Sequence, residues 1–245
     1  MAMQTADCEA IVLGVMDYRE SDRIVTLFTR EAGKLRCLAR GARKSLRRFG
    51  GTLELFGRLR VLLTVREGLS PLREATAVDL FPGIRGDLER IALAGYAAEL
   101  VDRLQPEGAV NPRLYRLLAA FLEHLNRSPA ELADRRFFEV NLLKILGSRP
   151  ELDRCGSCGS ALGEGAEAFL GVAGALRCAA CGRGGEVVAP PARAQLRLCL
   201  ATGCFGTVRF APAEQAQAGA LLDAAIAAHL ERPLKSLAFL REVGG

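Results

Sequence analysis

The sequence predicts an α+β chain of several domains: a small closed β-barrel first, then a helical bundle carrying an inserted four-cysteine metal-binding segment. Three observations predict it. Five short apolar or alternating runs lie between residues 8 and 80, with no helical period among them. Beyond residue 90, apolar residues recur at three and four. Two Cys-x-x-Cys pairs then interrupt the helical pattern. The expected divisions are 1–81 for the barrel, 82–151 for the first part of the helical domain, 152–184 for the insertion and 185–245 for the second helical part.

The strand signals come in order. Residues 10–16 are apolar and end at the polar turn 17–22; residues 24–29 follow, and Glu31-Ala32-Gly33 turns the chain. Residues 34–40 partly alternate cation and apolar side chain, as a strand with one wet face does. That wet face is basic. After a loop rich in Gly and Arg (41–51), residues 53–65 and 72–78 supply two more strands. Five short strands in so little chain fit a closed barrel better than a βαβ unit.

The period then changes. Leu93, Tyr96, Leu100 and Leu104 mark one helix, and Leu114, Leu117, Leu118, Phe121, Leu122 and Leu125 a second, opened by the N-cap Asn111 and the first-turn Pro112. Ser128-Pro129-Ala130-Glu131 has capping-box spacing for a third helix, which runs through Phe137, Phe138, Leu142, Ile145 and Leu146 to Gly147. That helix is apolar nearly all round and is expected at the centre of a bundle. Further helices are expected near 191–201, 213–230 and 234–242.

Composition narrows the function. The chain has 245 residues, half of them apolar and a quarter charged, which is globular. No apolar run approaches the roughly 18 residues of a membrane span, and Asp7 and Glu9 interrupt the start, so a cytoplasmic protein is expected. Only two histidines, His124 and His229, are present, each near the end of a helical pattern where a surface or capping role suits it. The phosphate-loop, zinc-protease and serine-hydrolase motifs are missing from the sequence, and Gly41-Ala42-Arg43-Lys44-Ser45 lacks the glycine spacing of a phosphate loop.

Cys155-x-x-Cys158 and Cys178-x-x-Cys181 are separated by 19 residues, the spacing of a four-thiolate zinc site. Glycine follows each pair, at Gly159 and Gly182. Disulfides suit an oxidising compartment, and a redox Cys-x-x-Cys suits a βαβ context that this sequence does not offer. Four protein ligands close a tetrahedral zinc, so one such ion would be structural and would fold a segment with little apolar area of its own. Cys8, Cys37, Cys199 and Cys204 lack this spacing and are expected as small hydrophobes, the last two as unpaired thiols.

Charge is concentrated elsewhere. Between Lys34 and Arg60 stand nine cations (Lys34, Arg36, Arg40, Arg43, Lys44, Arg47, Arg48, Arg58, Arg60) against one anion, Glu54; the whole chain carries a formal charge of only +5. A solvated face normally interleaves both signs, so this run points to a polyanion. Phe49, between Arg48 and two glycines, offers a ring on which a base could stack or which could anchor the loop in the core. Backbone-tracking cations with few aromatics suit single strands bound with little sequence preference.

A set of segments in this order resembles the RecO family of bacterial DNA repair proteins: residues 9–13, 18–29, Gly33-Lys34, 39–43, Arg48-Phe49-Gly50-Gly51, 98–102, the helix from Phe137 to Gly147, Pro150-Glu151-Leu152 leading into Cys155, and Pro233-Leu234-Lys235-Ser236. One departure is Ser148-Arg149, where the family more often has an aromatic and a small residue. The resemblance covers essentially the whole chain. It implies an N-terminal OB-fold, a helical domain and a zinc-binding insertion, and a recombination mediator without enzymatic turnover. Such proteins bind single- and double-stranded DNA, anneal complementary strands, act with RecR to load RecA onto DNA coated by single-strand-binding protein, and contact that protein's acidic C-terminal tail. The DNA-binding candidates are Lys34, Arg36, Arg40, Arg43, Lys44, Arg47, Arg48 and Phe49. Candidates for the acidic tail are helical cations beside apolar residues: Arg113, Arg116, Arg135, Arg136 and Lys144. The rival classes are a metal-dependent DNA-processing enzyme and a zinc-ribbon transcription regulator.

Overall fold

In the computed structural model, which describes residues 4–243 apart from the side chains of Gln4, Leu46, Arg47 and Arg241, closure of the barrel rests on one long strand. Strands β1 (Gln4–Tyr18), β2 (Asp22–Thr29), β3 (Gly33–Ala39), β4 (Arg58–Val65) and β5 (Ser70–Asp79) close in the order β1-β2-β3-β5-β4, as an OB-like barrel. β1 is longer than the expected 10–16 because it serves two neighbours. Its first part pairs with β4 and its second with β2, and the register slips between Val12 and Gly14 where the strand changes partner. β3 meets β5 in parallel at Cys37–Ser70 and Leu38–Pro71, which completes the ring.

Alternation puts one side of every strand inside. Cys8, Ala10, Val12, Val25, Leu27, Leu35, Cys37, Leu59, Val61, Leu63 and Leu72 form one buried cluster. Burial pushes the Cys8 and Cys37 thiols up to about 11 and about 12, so both behave as small hydrophobes. Residues 53–57, expected to begin the fourth strand, form a turn instead. Phe56 takes a left-handed φ of 69°, its N–H and the carbonyl of Gly57 bond to Val12, Leu53 joins the barrel core and Phe56 is buried near Gly95. A short helix, α1 (Leu46–Phe49), interrupts the basic loop before this turn.

Three helices follow the barrel: α2 (Pro82–Arg85), α3 (Leu88–Leu104) and α4 (Pro112–Arg127). The N-caps Asp87 and Asn111 accept the exposed first-turn N–H groups of α3 and α4. These helices belong with the barrel: one compact unit comprises Met1–Ser128 with Leu234–Gly245, and the other Pro129–Pro233. Strands give way to helices at the expected 81/82, and the compact unit that contains the barrel also takes in the first helices. The cause is packing, with Phe28 against Tyr115 at 5.9 Å and Arg58 bonded to Glu123 at 2.5 Å.

In the second unit, α5 (Leu132–Ile145) packs against α6 (Pro190–Ala201) and α7 (Pro212–Ala227). It occupies the expected centre, though not by apolar contact alone. Arg135 and Arg136 are buried against Glu139, with bonds of 2.8 and 2.7 Å, and Arg135 also reaches Asp223 at 2.9 Å. Between α5 and α6 lies the cysteine segment with its small sheet, β6 (Ala168–Leu170), β7 (Leu176–Arg177) and β8 (Val187–Val188), in the order β7-β6-β8.

Arg193 of α6 fastens this segment. Its side chain is fully buried, and its guanidinium donates to the carbonyls of Leu152 and Leu162 at 3.2 and 3.4 Å and to those of Gly163 and Ala166. Four carbonyls from a loop without regular structure thus find one shared donor. Arg193→Met should lower unfolding free energy by about 3 kcal/mol and remove hydrogen-exchange protection from residues 152–166, because the buried Leu162 carbonyl would lose its donor and the Gly163 and Ala166 carbonyls their tie to α6.

The last helix, α8 (Lys235–Val243), returns to α3, where Glu99 caps it. The carboxylate accepts the N–H of Lys235 at 3.1 Å and both the N–H and hydroxyl of Ser236 at 2.8 and 2.6 Å. Burial raises the Glu99 carboxyl, but the Ser236 and Lys235 bonds and Arg103 outweigh it, and the group is held below its ordinary 4.5. A depressed carboxyl contributes stability fully present above pH 4.5 and lost as pH falls through the folded value. Glu99→Ala should cost about 1 to 2 kcal/mol at neutral pH in urea unfolding and much less in acid, where the wild type has lost the same contribution.

Candidate nucleic-acid interface and metal centre

The basic loop is built onto the β1–β2 turn. Asp22 Oδ1 accepts the N–H of Gly41 at 2.8 Å, Ser21 O accepts the N–H of Arg43 at 3.1 Å, and Glu20 O accepts from the Arg43 guanidinium at 3.3 Å. Arg48 donates to Arg40 O at 2.6 Å and closes the loop on itself. Arg40, Arg43, Lys44 and Arg48 are all exposed, and Arg36 stands on the outer face of β3. None of these five has a carboxylate at ion-pair distance among the described residues.

Other cations of the run are committed within the fold. The Lys34 ammonium bonds the carbonyl of Asp102 and pairs with its carboxylate at 3.3 Å, so it ties the barrel to α3. Arg58 pairs with Glu123, and Arg60 with Asp7 through two bonds of 2.9 and 3.0 Å. The Arg47 side chain lies outside the described residues. Phe49 requires a correction: its ring is 2 % exposed and belongs to the barrel core, leaving no face for a base. Arg19 and Arg23 on the β1–β2 turn were not singled out from sequence, and the turn's contact with the loop is the signal that brings them in. Arg23 pairs with Asp17 at 3.1 Å, whereas Arg19 is exposed over the Tyr18 ring.

The helical cations divide in the same way. Arg113 and Arg116 are exposed on α4. Arg135 and Arg136 are a second correction, because both are buried in the Glu139–Asp223 network and present no free guanidinium to a peptide. Lys144 is exposed and lines a cleft of about 200 Å³ with Arg149, Pro150, Leu152, Asp153, Arg197, Leu200 and Ala201. Arg149, part of the sequence's departure before Pro150, supplies a second cation there.

The four cysteines come together. The sulfurs of Cys155, Cys158, Cys178 and Cys181 all lie within 4.8 Å of one another, with Cys158 and Cys178 3.8 Å apart. Metal–sulfur bonds of about 2.3 Å in a tetrahedron require sulfurs about 3.8 Å apart, so the cluster fits a metal ion. The two following glycines act differently. Gly159 takes a φ of +72° in the turn that bonds its N–H to Cys155 O, whereas Gly182 makes room for Phe169, whose Cβ would stand 2.5 Å from an added methyl. Backbone N–H groups of Cys158, Cys178 and Ser157 lower the Cys155 thiol to about 6, and the hydroxyl of Ser160 lowers Cys158. The neighbouring sulfurs of Cys158 and Cys178 push Cys181 up to about 12. Four thiolates this close need a cation to be ionised together, which is the chemistry of a metal site.

No helix among the described residues is long and apolar enough to cross a membrane. A family model described as the N-terminal part of recombination protein O matches residues 3–81, and one described as its C-terminal part matches residues 85–238. The DNA repair protein RecO of Geobacter metallireducens is 58% identical over 241 residues, which cover 98% of this chain and 99% of the relative. Those of Geobacter sulfurreducens and Pelobacter propionicus are 56% and 47% identical, again over 98% of this chain and 99% and 98% of theirs. An OB-like barrel, a helical unit with a four-cysteine insertion and full-length similarity agree: the chain belongs to the RecO family of DNA repair proteins.

Proposed function

We propose that the protein is a non-catalytic mediator of DNA repair and recombination. It binds single- and double-stranded DNA on the barrel, anneals complementary strands, and acts with RecR to load RecA onto single strands coated by single-strand-binding protein. The observation that carries the DNA-binding step is the set of five exposed cations, Arg36, Arg40, Arg43, Lys44 and Arg48, without carboxylate partners. Phosphates attract such a surface and release condensed counterions when they bind. Annealing follows from the same physics, because cations that neutralise two backbones reduce their repulsion while leaving base edges free to pair. Work on DNA in this way belongs in the cytoplasm, at the nucleoid.

The metal is proposed to be one zinc ion held by Cys155, Cys158, Cys178 and Cys181. With four thiolate ligands it has no position for water or substrate, and it supplies folding free energy to residues 152–184. The acidic tail of single-strand-binding protein is proposed to dock at the Lys144 cleft. There Lys144, Arg149 and Arg197 surround Pro150, Leu152 and Leu200, the pairing of charge and apolar floor that an acidic, apolar-ended peptide needs. Asp153 opposes it and is already paired with Arg197 at 2.7 Å.

Five cations on phosphates give a slope of about −3.5 in log affinity against log salt for single strands. Reversing Arg36, Arg40 and Lys44 to Glu should weaken binding to every sequence tested and flatten the slope by about 2. Unchanged affinity in fluorescence anisotropy would remove the barrel from the account. Labelled DNA incubated with protein and divalent ions should keep its strand lengths, which separates a mediator from a nuclease, and a preference for one duplex site would favour a transcription regulator. Chelation should release about one zinc per chain and strip exchange protection from residues 152–184 while leaving the barrel protected.

A further inference from the structure

The barrel has five aromatic residues, and four of them are closed to a ligand. Phe28 and Phe81 are fully buried, Phe49 is 2 % exposed and Phe56 8 % exposed. Tyr18, the last residue of β1, is the one half-buried aromatic among the described barrel residues. Its position is specific. The loop carrying Arg40, Arg43 and Lys44 is hydrogen-bonded to Glu20, Ser21 and Asp22 of the turn that Tyr18 opens. Arg19 next to it takes a left-handed φ of 55°, a conformation costing a side-chain-bearing residue about 1 kcal/mol, and its guanidinium lies 5.2 Å from the centre of the Tyr18 ring.

We infer that Tyr18 and Arg19 form a nucleotide-binding platform at the mouth of the basic loop, Tyr18 stacking one base and Arg19 holding its phosphate. The inference rests on the barrel binding DNA as proposed above and moves the stacking role from Phe49 to Tyr18. A base has a π-face whatever its identity, so the platform adds affinity without sequence preference and favours strands whose bases are unstacked. Exposed Arg19 has no carboxylate at ion-pair distance among the described residues. The nearby acids are Asp17, paired with Arg23, and Glu20 and Asp22, whose carbonyl and carboxylate oxygens respectively hold the loop.

The chain's own emission provides the test. It has no tryptophan and three tyrosines, and Tyr96 and Tyr115 are 2 % and 3 % exposed, so a base can reach Tyr18 alone. Titrating the full chain with oligothymidine should quench tyrosine fluorescence, and Tyr18→Phe should abolish the quench with affinity within about twofold of wild type. Tyr18→Ala and Tyr18→Leu should each bind oligothymidine about tenfold more weakly, yet bind an abasic strand of equal phosphate number as wild type does. Equal loss on both strands would show that Tyr18 acts through the fold, and no loss on either would show that it does not stack; both results overturn the platform. If the wild type itself failed to bind oligothymidine, the DNA-binding proposal would fall and the platform with it, whereas binding unaltered by Tyr18→Ala sinks the platform alone.

Discussion

A charged side chain must be either paired or hydrated, and the outcome at each cation of this chain decides what its surface can bind. Arg135 and Arg136 share Glu139 inside the second unit, and Arg193 spends its guanidinium on four carbonyls. Lys34 and Arg58 brace the barrel against α3 and α4. Of the described cations between Lys34 and Arg60, those that remain exposed without a carboxylate are confined to β3 and the loop after it. The concentration of charge seen along the sequence is therefore thinned by the fold, and the residues it spares all lie between Arg36 and Arg48.

The same rule governs the cysteines in the opposite sign. Sulfurs gathered within 4.8 Å cannot all ionise unless a cation joins them, and the raised Cys181 beside the lowered Cys155 expresses that conflict. A metal ion held by the four sulfurs would resolve the conflict and tie the two turns together. Arg193 ties the same segment to α6 from the other direction, through backbone carbonyls. Polar bonds from Arg193 thus supplement the few buried apolar side chains of residues 152–184, Leu152, Leu162, Ala168 and Leu176.

Features set by local pattern were legible in the sequence. Alternation gave the barrel strands, the 3.6-residue period gave α3, α4 and α5, and Cys-x-x-Cys spacing gave the cluster. Partners distant along the chain were not legible. Nothing near Lys34 announces Asp102, and nothing near Arg58 announces Glu123. Phe49 illustrates the limit well: flanked by cations and glycines it reads as a loop aromatic, yet the short helix α1 turns its ring into the barrel. Periodicity likewise locates where strands give way to helices after residue 81 without saying which layer α3 and α4 cover.

How the loop is held matters as much as how many cations it carries. Arg43 and Arg48 are positioned by the carbonyls of Glu20 and Arg40, and Arg48 also lies 5.2 Å from the centre of the Phe49 ring. A carbonyl or an aromatic face fixes a guanidinium in place without cancelling its charge, whereas a carboxylate does both. The loop therefore keeps its full positive field while surrendering part of its conformational freedom before any ligand arrives. Order already present in the free protein does not have to be supplied at binding, so phosphate contacts to such a loop would be stronger than to the same cations on a loose chain. The carboxylates of this region are turned to other work: Asp22 accepts a backbone N–H from Gly41, and Asp17 holds Arg23 to one side. Acidic residues thereby shape the cationic surface without neutralising Arg40, Arg43, Lys44 or Arg48.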